Sequence, residues 1–375
     1  MTRCPVVSLD VVTEGLGRAL PIVAFLLAIT AVAELSDRAG VFDVIGHWIA
    51  RHGRHRMWLL WLLFSAFAVT CTIFLSLDTT AALLTPVALS VANQIGVPPR
   101  PFALTTLWIA NTGSLLLPVS NLTNLLALQR LEALGVDHTA YVRLAFAPAI
   151  VSIAITLGVI ALLHWRDLGT RYAVDPPADP HDPTLFRCAA LVCLIIGPAF
   201  AAGLPPWAVA AAAALVLTVA TAWRAPHHLK HLNLPWLMAL AFAALTIVVA
   251  AAHDAGLLNP LLNLAGTGTT TPDLLRVAGT SALTSNAVNN LPAYLALEPA
   301  AADDRLRLMA VLIGTNAGPL VTPWASLATL LWLQRCRAAG VRWRLWRLAL
   351  GGLVCGSLAV LGSTLAVTLQ LLGAR

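Results

Sequence analysis

The chain has 375 residues, of which 59% are hydrophobic and 11% charged, with a formal net charge of +6 and a mean hydropathy of +0.81. Soluble domains usually carry about 25% charged residues, so this chain cannot cover itself with a polar surface. Its arginines lie between apolar runs rather than on one folded face, which excludes nucleic acid as a partner.

Apolar runs of roughly 18 or more residues recur along the whole length, the signature of membrane spans. The fold class is therefore an all-α polytopic membrane protein in the lipid bilayer. A short N-terminal segment, 1–18, precedes a first predicted helix at 19–35 that stops at "ELSDRAG". A short helix at 41–50 leads to the basic cluster "RHGRHR" at 51–56. Apolar segments follow at 57–76 and 80–96, joined by "SLDTT", then a long segment at 102–130 and a helix at 142–164. A polar linker, 165–183, separates the halves. Two plain helices, 185–202 and 205–223, make up most of a scaffold unit at 184–232. Next come 234–252, 255–265, the pair 274–284 and 291–298 joined by "TSNAVNN", a second long segment at 306–334 and a last helix at 346–372.

The two long segments are copies. Residues 110–136 set against 315–341 without gaps match at 13 of 27 positions, including Asn111, Gly113, Pro118, Gln129 and Arg130. Leucine-rich text alone would not match in register at Asn, Gly, Pro, Gln and Arg. Upstream, "LPIVAFLLAITAVAELSDRAGVF" at 20–42 resembles "LPWLMALAFAALTIVVAAAHDAGLL" at 234–258. One repeat spans 19–164 and the other 233–372.

Charge sets their relative direction. "RHGRHR" corresponds to "GTGTTTPD" at 266–273, which has no Lys or Arg. After the long segment the first copy has Arg130 and Arg143 balanced by Glu132 and Asp137, whereas the second, "RCRAAGVRWRLWR", has five Arg and no acid. Equivalent loops with opposite bias lie on opposite faces, since Lys and Arg collect on the cytoplasmic side. The repeats are thus inverted, an arrangement found in alternating-access transporters. With 51–56 and Arg100 both cytoplasmic, 57–97 enters and leaves on one side, a re-entrant hairpin with Asp78, Thr79 and Thr80 near its tip. By the same logic 274–298 is a hairpin from outside, with Asn286, Asn289 and Asn290 near its tip. The broken segments 102–130 and 306–334 cross completely and pause at 111–121 and 316–326.

Non-helical backbone at membrane depth is tolerated only where it is buried in protein or lines a cavity. Gly113, Gly318, Pro118 and Pro323 break the two helices, proline by removing an N–H. The pauses bring Asn111, Thr112, Gly113, Ser114, Ser120, Asn121, Thr315, Asn316, Gly318 and Ser326 to mid-membrane. With the hairpin tips they are expected to enclose one polar substrate site. Asp78 is the only acid in these motif cores, and intramembrane acids are functional candidates by default. It is the expected proton-coupling residue, with Glu34 and Asp37 as second candidates whose plainer role is pairing with Arg38 at the interface.

The stretches "FLSLDTTAALLTPVAL", "ANTGSLLLPVSNLTNLL", "NAVNNLPA" and "GTNAGPLVTPWASLATLLW" resemble the corresponding motifs of the arsenite/antimonite exporter family, the arsenical pump membrane proteins of the ion transporter superfamily. The resemblance covers about 18 to 372. It implies a secondary transporter, not an enzyme, in a bacterial plasma membrane, exporting arsenite or antimonite in exchange for protons and needing no cofactor. In some members a soluble arsenite-stimulated ATPase subunit adds to the drive; the Arg-rich loop 335–347 is a candidate dock for it, although its plainer role is that of a topology determinant. A homodimer is a candidate assembly. A sodium/proton antiporter of the same superfamily is the alternative. Carboxylate transport is disfavoured because no Lys or Arg falls inside the motif cores.

Other chemistries find no support. Cys4, Cys71, Cys188, Cys193, Cys336 and Cys355 form no CxxC pair, and no HExxH occurs, so neither a disulfide framework nor a metal site is expected. Arsenite is mostly an uncharged trihydroxide at neutral pH, which suits amides, hydroxyls and carbonyls better than a cationic clamp. In one respect the chain departs from the pattern. Two helices precede the second repeat, so two matching helices are expected before residue 19, and "MTRCPVVSLDVVTEGLGRA" does not supply them.

Overall fold

The computed structural model describes residues 9–173, 182–232 and 234–372. The part of the linker at 174–181 and the first eight residues of the N-terminal segment lie outside the described residues. Among the described residues the chain is helical throughout, with no strand and one isolated bridge between Arg56 and Arg171.

The first half runs α1 (Leu9–Arg38), α2 (Val41–His52), α3 (Met57–Leu75), α4 (Leu77–Thr79), a π-helical turn (Thr80–Leu84), α5 (Thr85–Gln94), α6 (Arg100–Thr112), a 3-10 turn (Pro118–Ser120), α7 (Leu122–Ala133), α8 (His138–Leu163) and α9 (Trp165–Leu168). The two central helices are α10 (Pro183–Ala201) and α11 (Pro206–Arg224). The second half has α12 (Trp236–Asp254), α13 (Asn259–Ala265), α14 (Thr271–Ala287), α15 (Asn290–Leu297), α16 (Arg305–Ala317), α17 (Leu327–Ala338) and α18 (Leu345–Leu372).

Six of the described helices are long and apolar enough to cross a membrane: α1, α3, α8, α10, α11 and α18. The pair α12 and α13, bent by 87°, adds a seventh if it is one span. The halves α6, α7, α16 and α17 have 12 or 13 residues each. At 1.5 Å per residue each reaches about 20 Å, short of a hydrocarbon core of about 30 Å. A crossing by these segments needs both halves. The first helix starts earlier than hydropathy suggests, at Leu9 rather than 19, because nothing before Pro21 breaks a helix although Glu14 and Arg18 interrupt the apolar run.

The repeat is visible in the element bounds. A shift of 205 residues carries both ends of α6 onto those of α16, and both ends of α7 onto those of α17. Packing is reciprocal too: α7 lies against α16 and α15, and α17 lies against α6 and α5. The terminal helices of the repeats, α8 and α18, pack along each other, while α10 and α11 pair and α11 lies on α1. The first break is thereby buried against the other repeat, as irregular backbone at membrane depth must be, while the second is buried at 318–320 and 325–326 and only partly covered at 321–324.

Helix starts show the same economy. Asp137 caps α8 through the Ala140 N–H at 2.7 Å, Asp304 caps α16 through Leu306 and Arg307, and Thr270 with Asp273 forms a reciprocal capping box on α14. These are charged caps. The starts inside the apolar body, at Leu122 and Leu327, follow the neutral residues Asn121 and Ser326.

Candidate functional site

The first break runs from Gly113 to Asn121. The Gly113 N–H still bonds to the Ile109 carbonyl at 2.8 Å, Leu117 is extended, and Pro118 opens a single 3-10 turn. Asn121 is extended and its Oδ1 accepts from the Thr123 N–H at 3.2 Å, restarting the helix. The second break runs from Gly318 to Ser326. Gly113 and Gly318 both have negative φ, −87° and −76°, so their use is not left-handed backbone. Gly318 is needed for space: a Cβ there would collide with Ala282 of α14.

The two breaks meet at Asn316. Its Oδ1 accepts from Asn121 Nδ2 and lies 3.1 Å from Ser114 Oγ, whose proton is shared with the Asn111 carbonyl at 2.7 Å. Its Nδ2 donates to Asn124 Oδ1 at 2.8 Å. Asn124 Nδ2 in turn donates to the Ser114 carbonyl at 2.6 Å and the Leu117 carbonyl at 3.1 Å. Every side chain in this network is buried. Asn124 is absent from the sequence-derived candidates. Its signal was its position three residues after the helix-starting Asn121, which puts both amides on one helix face.

The second hairpin tip is stitched to the second break. Asn286 Nδ2 donates to the Gly318 carbonyl at 2.8 Å, and its Oδ1 accepts from the Val321 and Thr322 N–H groups at 3.0 and 3.2 Å. Asn289 Nδ2 donates to the Trp324 carbonyl, and the Asn290 N–H to the Ala325 carbonyl, both at 2.8 Å. The first hairpin packs against the first break along α3, where Ser120 Oγ donates to the Ile73 carbonyl at 2.8 Å. Its turn is made by Ser76 at φ 99°, a left-handed angle that non-glycine residues adopt rarely. The Ser76 side chain then caps the turn carrying Asp78 and Thr79.

Other candidates face elsewhere. The Thr112 hydroxyl bonds to the Trp108 carbonyl and to Thr156 of α8, each at 2.8 Å, away from the Asn316 junction. Thr80 is occupied by Thr72 at 2.9 Å and the Ser76 carbonyl, and Thr315 by the Val311 carbonyl at 3.0 Å. Glu34 accepts from Arg38 at 3.3 Å, and Arg38 also donates to the His228 carbonyl at 2.5 Å. Glu34 and Asp37 thus sit at the end of α1, beside the segment after α11. Cys71 is buried in α3 and takes no part in the junction.

Thr123 Oγ1 at the start of α7 is buried without a partner, and so are four more side-chain oxygens: Asp78 Oδ1, Asn111 Oδ1, Ser326 Oγ and Thr329 Oγ1. These four lie on α4, α6 and α17 or its first turn, and these three helices pack on one another. Asn111 is the repeat counterpart of Asn316, and Ser326 and Thr329 are the counterparts of Asn121 and Asn124. The two junctions between the copies differ: where α16 meets α7, Asn316 bonds to Ser114, Asn121 and Asn124, whereas the counterpart oxygens on α6 and α17 are left without partners. A buried polar group without a partner costs about 1–3 kcal/mol, so four such oxygens on adjoining helices mark a place that a polar ligand can satisfy. No Lys or Arg occurs in either break. The buried Arg307 at the start of α16 spends its guanidinium on the carbonyls of Gly266, Gly268 and Ala300.

Comparison with known proteins accords with this architecture. The sequence profile of the citrate transporter family, CitMHS, matches residues 1–329. The chain is 30% identical to the arsenical pump membrane protein of Yersinia enterocolitica over 344 residues, covering 83% of this chain and 77% of that one. It is 28% identical to the arsenical pump membrane protein of Escherichia coli K12 over 340 residues, with the same coverage. Among solved structures, the YdaH transporter of Alcanivorax borkumensis superposes with a TM-score of 0.64, covering 97% of this chain and 88% of that chain at 15% identity. That likeness is one of fold.

Proposed function

This chain belongs to the citrate transporter family, CitMHS, and groups there with the arsenical pump membrane proteins; we propose that it exports arsenite or antimonite from the cytoplasm by proton antiport. It is a multi-pass membrane transporter, not an enzyme. The observation that carries the finer reading is the polar junction without any cation. A carboxylate substrate would need positive groups to replace its lost hydration. A neutral trihydroxide needs donors and acceptors at short range, which amides and hydroxyls supply together.

In this reading the substrate takes the junction of α6 and α17, bonding to Asn111, Ser326 and Thr329 with Thr79 and Asn290 nearby on the hairpin tips. The junction of α16 and α7, Asn316 with Ser114, Asn121 and Asn124, holds the broken helices in register. Asp78 exchanges the proton. Occupation by substrate and by proton in turn would favour opposite-facing states, as alternating access requires. Weak, charge-free binding suits release on the far side.

The test is arsenite uptake into everted membrane vesicles under an imposed pH gradient, acid inside, without ATP or sodium. Uptake that collapses with a protonophore is the expected result. Sodium moving against protons, with no arsenite uptake, would replace this reading with that of a sodium/proton antiporter; the unpartnered oxygens would then hold the ion. Citrate uptake would overturn the argument from missing cations.

A further inference from the structure

A second feature lies away from the polar junction. Between the start of α6, the end of α8 and the start of α18 is an open cleft of about 960 Å³. Arg100, Arg342, Arg344 and Arg347 stand around it. Among the described residues none of the four has a carboxylate within salt-bridge distance, and no acid lines the cleft; His164 on its wall pairs with Asp167 at 3.0 Å. Below the arginines the wall is apolar, formed by Leu104, Val159, Leu163, Leu350 and Val354. Much of that wall is open, with Leu163 55%, Leu350 57% and Val354 49% exposed.

Deeper in the cleft, Trp108 is buried, and its Nε1 donor has no partner. The benzo edge of this ring lies next to Gly351, where a Cβ would come within 3.3 Å. A glycine there leaves room beside the indole. The cleft therefore offers four cations without a carboxylate partner at its mouth and an apolar wall with much of its surface open.

We propose that this cleft binds an anionic phospholipid of the cytoplasmic leaflet, its phosphate against the arginines and one acyl chain along α8 and α18. Two features favour a lipid over a soluble anion or a docked protein. The apolar wall runs down the bilayer-facing side of α18, where only a chain from the membrane can follow it. The cation cluster lies where Arg and Lys collect at the cytoplasmic face, and each such residue near an anionic surface adds to attraction. Arg347 also lies over the Trp346 ring at 5.2 Å, which holds a guanidinium and an indole together at headgroup level. The inference is independent of what the transporter carries. It would couple lipid composition to α6, the helix that carries Asn111.

The test uses the purified full chain in nanodiscs of equal phosphatidylglycerol and phosphatidylcholine with one or the other brominated. It is read as the share of tryptophan quenching that disappears in a Trp343→Phe/Trp346→Phe variant, since Trp343 and Trp346 line the cleft while other tryptophans are exposed elsewhere. The expected result is a preference for phosphatidylglycerol of about tenfold, largely lost in an Arg100→Gln/Arg347→Gln variant and kept in Arg100→Lys/Arg347→Lys. The Gln pair leaves Arg335, Arg337, Arg342 and Arg344 to hold the topology. Equal quenching of that share by both lipids in the otherwise wild-type chain overturns the proposal, whether or not the Arg variants fold. So does an unchanged preference in the Gln pair. Displacement of the lipid by inorganic phosphate overturns it in favour of a soluble anion.

Discussion

Asn316 Nδ2 donates to Asn124 Oδ1 at 2.8 Å, joining residues 192 positions apart across the two broken segments. With Ser114 and Asn121 on its other atom, Asn316 is saturated, while its repeat counterpart Asn111 bonds only to the Leu107 carbonyl and leaves Oδ1 bare. Two side chains with one ancestry in the repeat thus have opposite hydrogen-bond states.

That difference predicts opposite mutant behaviour. Asn316→Ala strands Asn121 Nδ2 and Asn124 Oδ1 in a buried site, at about 1–3 kcal/mol for each group left unpaired, while Ser114 keeps its bond to the Asn111 carbonyl. Thermal unfolding in detergent should show a large loss of stability, and transport should fall with it. Asn111→Ala removes one hydrogen bond, worth about 1 kcal/mol. It should stay folded yet lose arsenite uptake in vesicles. Equal destabilisation by the two substitutions would contradict a division into a structural junction and a binding junction.

The loop between the halves gives a pH prediction. Asp182 accepts from Arg224 at 2.9 and 3.2 Å and from the Leu185 and Thr184 N–H groups at the start of α10. Arg224 foremost, helped by those N–H groups, holds the Asp182 carboxyl below its ordinary value. A depressed folded pKa contributes stability above the unfolded value of about 3.9 and loses it as pH falls through the folded one. The wild-type chain should therefore unfold more readily than at neutral pH once the buffer is below about pH 4. The gap in melting temperature between wild type and Asp182→Asn should close over the same range. A gap that stays constant with pH would exclude this pairing as the cause.

Part of this arrangement is legible in the sequence because it is local and repeated. Gly113 with Pro118 and Gly318 with Pro323 mark where α6 and α16 must end, and the register of 205 residues carries over to every bound of the broken helices. Asn111 and Asn316 stand out as amides in apolar text. The partner choice was not legible, since it depends on contacts between residues far apart in the chain. Nothing local says that Asn316 is saturated and Asn111 is not, or that Thr112 turns toward Thr156 on α8. Asn124 and Thr329 were missed because single polar residues inside a leucine-rich helix look like ordinary helix–helix contacts. The start of α1 was misplaced because hydropathy registers apolar content, whereas the helix continues until something breaks it.

Ser326 and Thr329 allow a test that structure-breaking variants do not. Both are buried, and neither side-chain oxygen has a partner. Thr329→Val and Ser326→Ala therefore remove desolvated hydroxyls without stranding anything. Stability should change by about 1 kcal/mol at most, in either direction. If these hydroxyls bond to the substrate, KM for arsenite should rise about three- to tenfold for each, the equivalent of one neutral hydrogen bond. Unchanged KM with unchanged stability would remove α17 from the binding surface.

Asp78 carries the coupling prediction. It follows the Ser76 turn, it is the only acid in the broken segments and hairpin tips, and its buried Oδ1 has no partner. An amide of the same shape breaks no hydrogen bond at that atom, so Asp78→Asn should reach the membrane at normal levels. If the carboxyl exchanges the proton, uptake driven by the pH gradient should fall by about tenfold or more. Glu34→Gln should transport nearly as wild type, because Glu34 lies with Arg38 in a part-buried pair at the end of α1, outside the broken segments and hairpin tips, and an amide can still accept from Arg38. Protonophore-sensitive uptake that persists in Asp78→Asn would move the coupling site elsewhere. Loss in Glu34→Gln alone would move it to the end of α1, where Asp37 is the neighbouring acid.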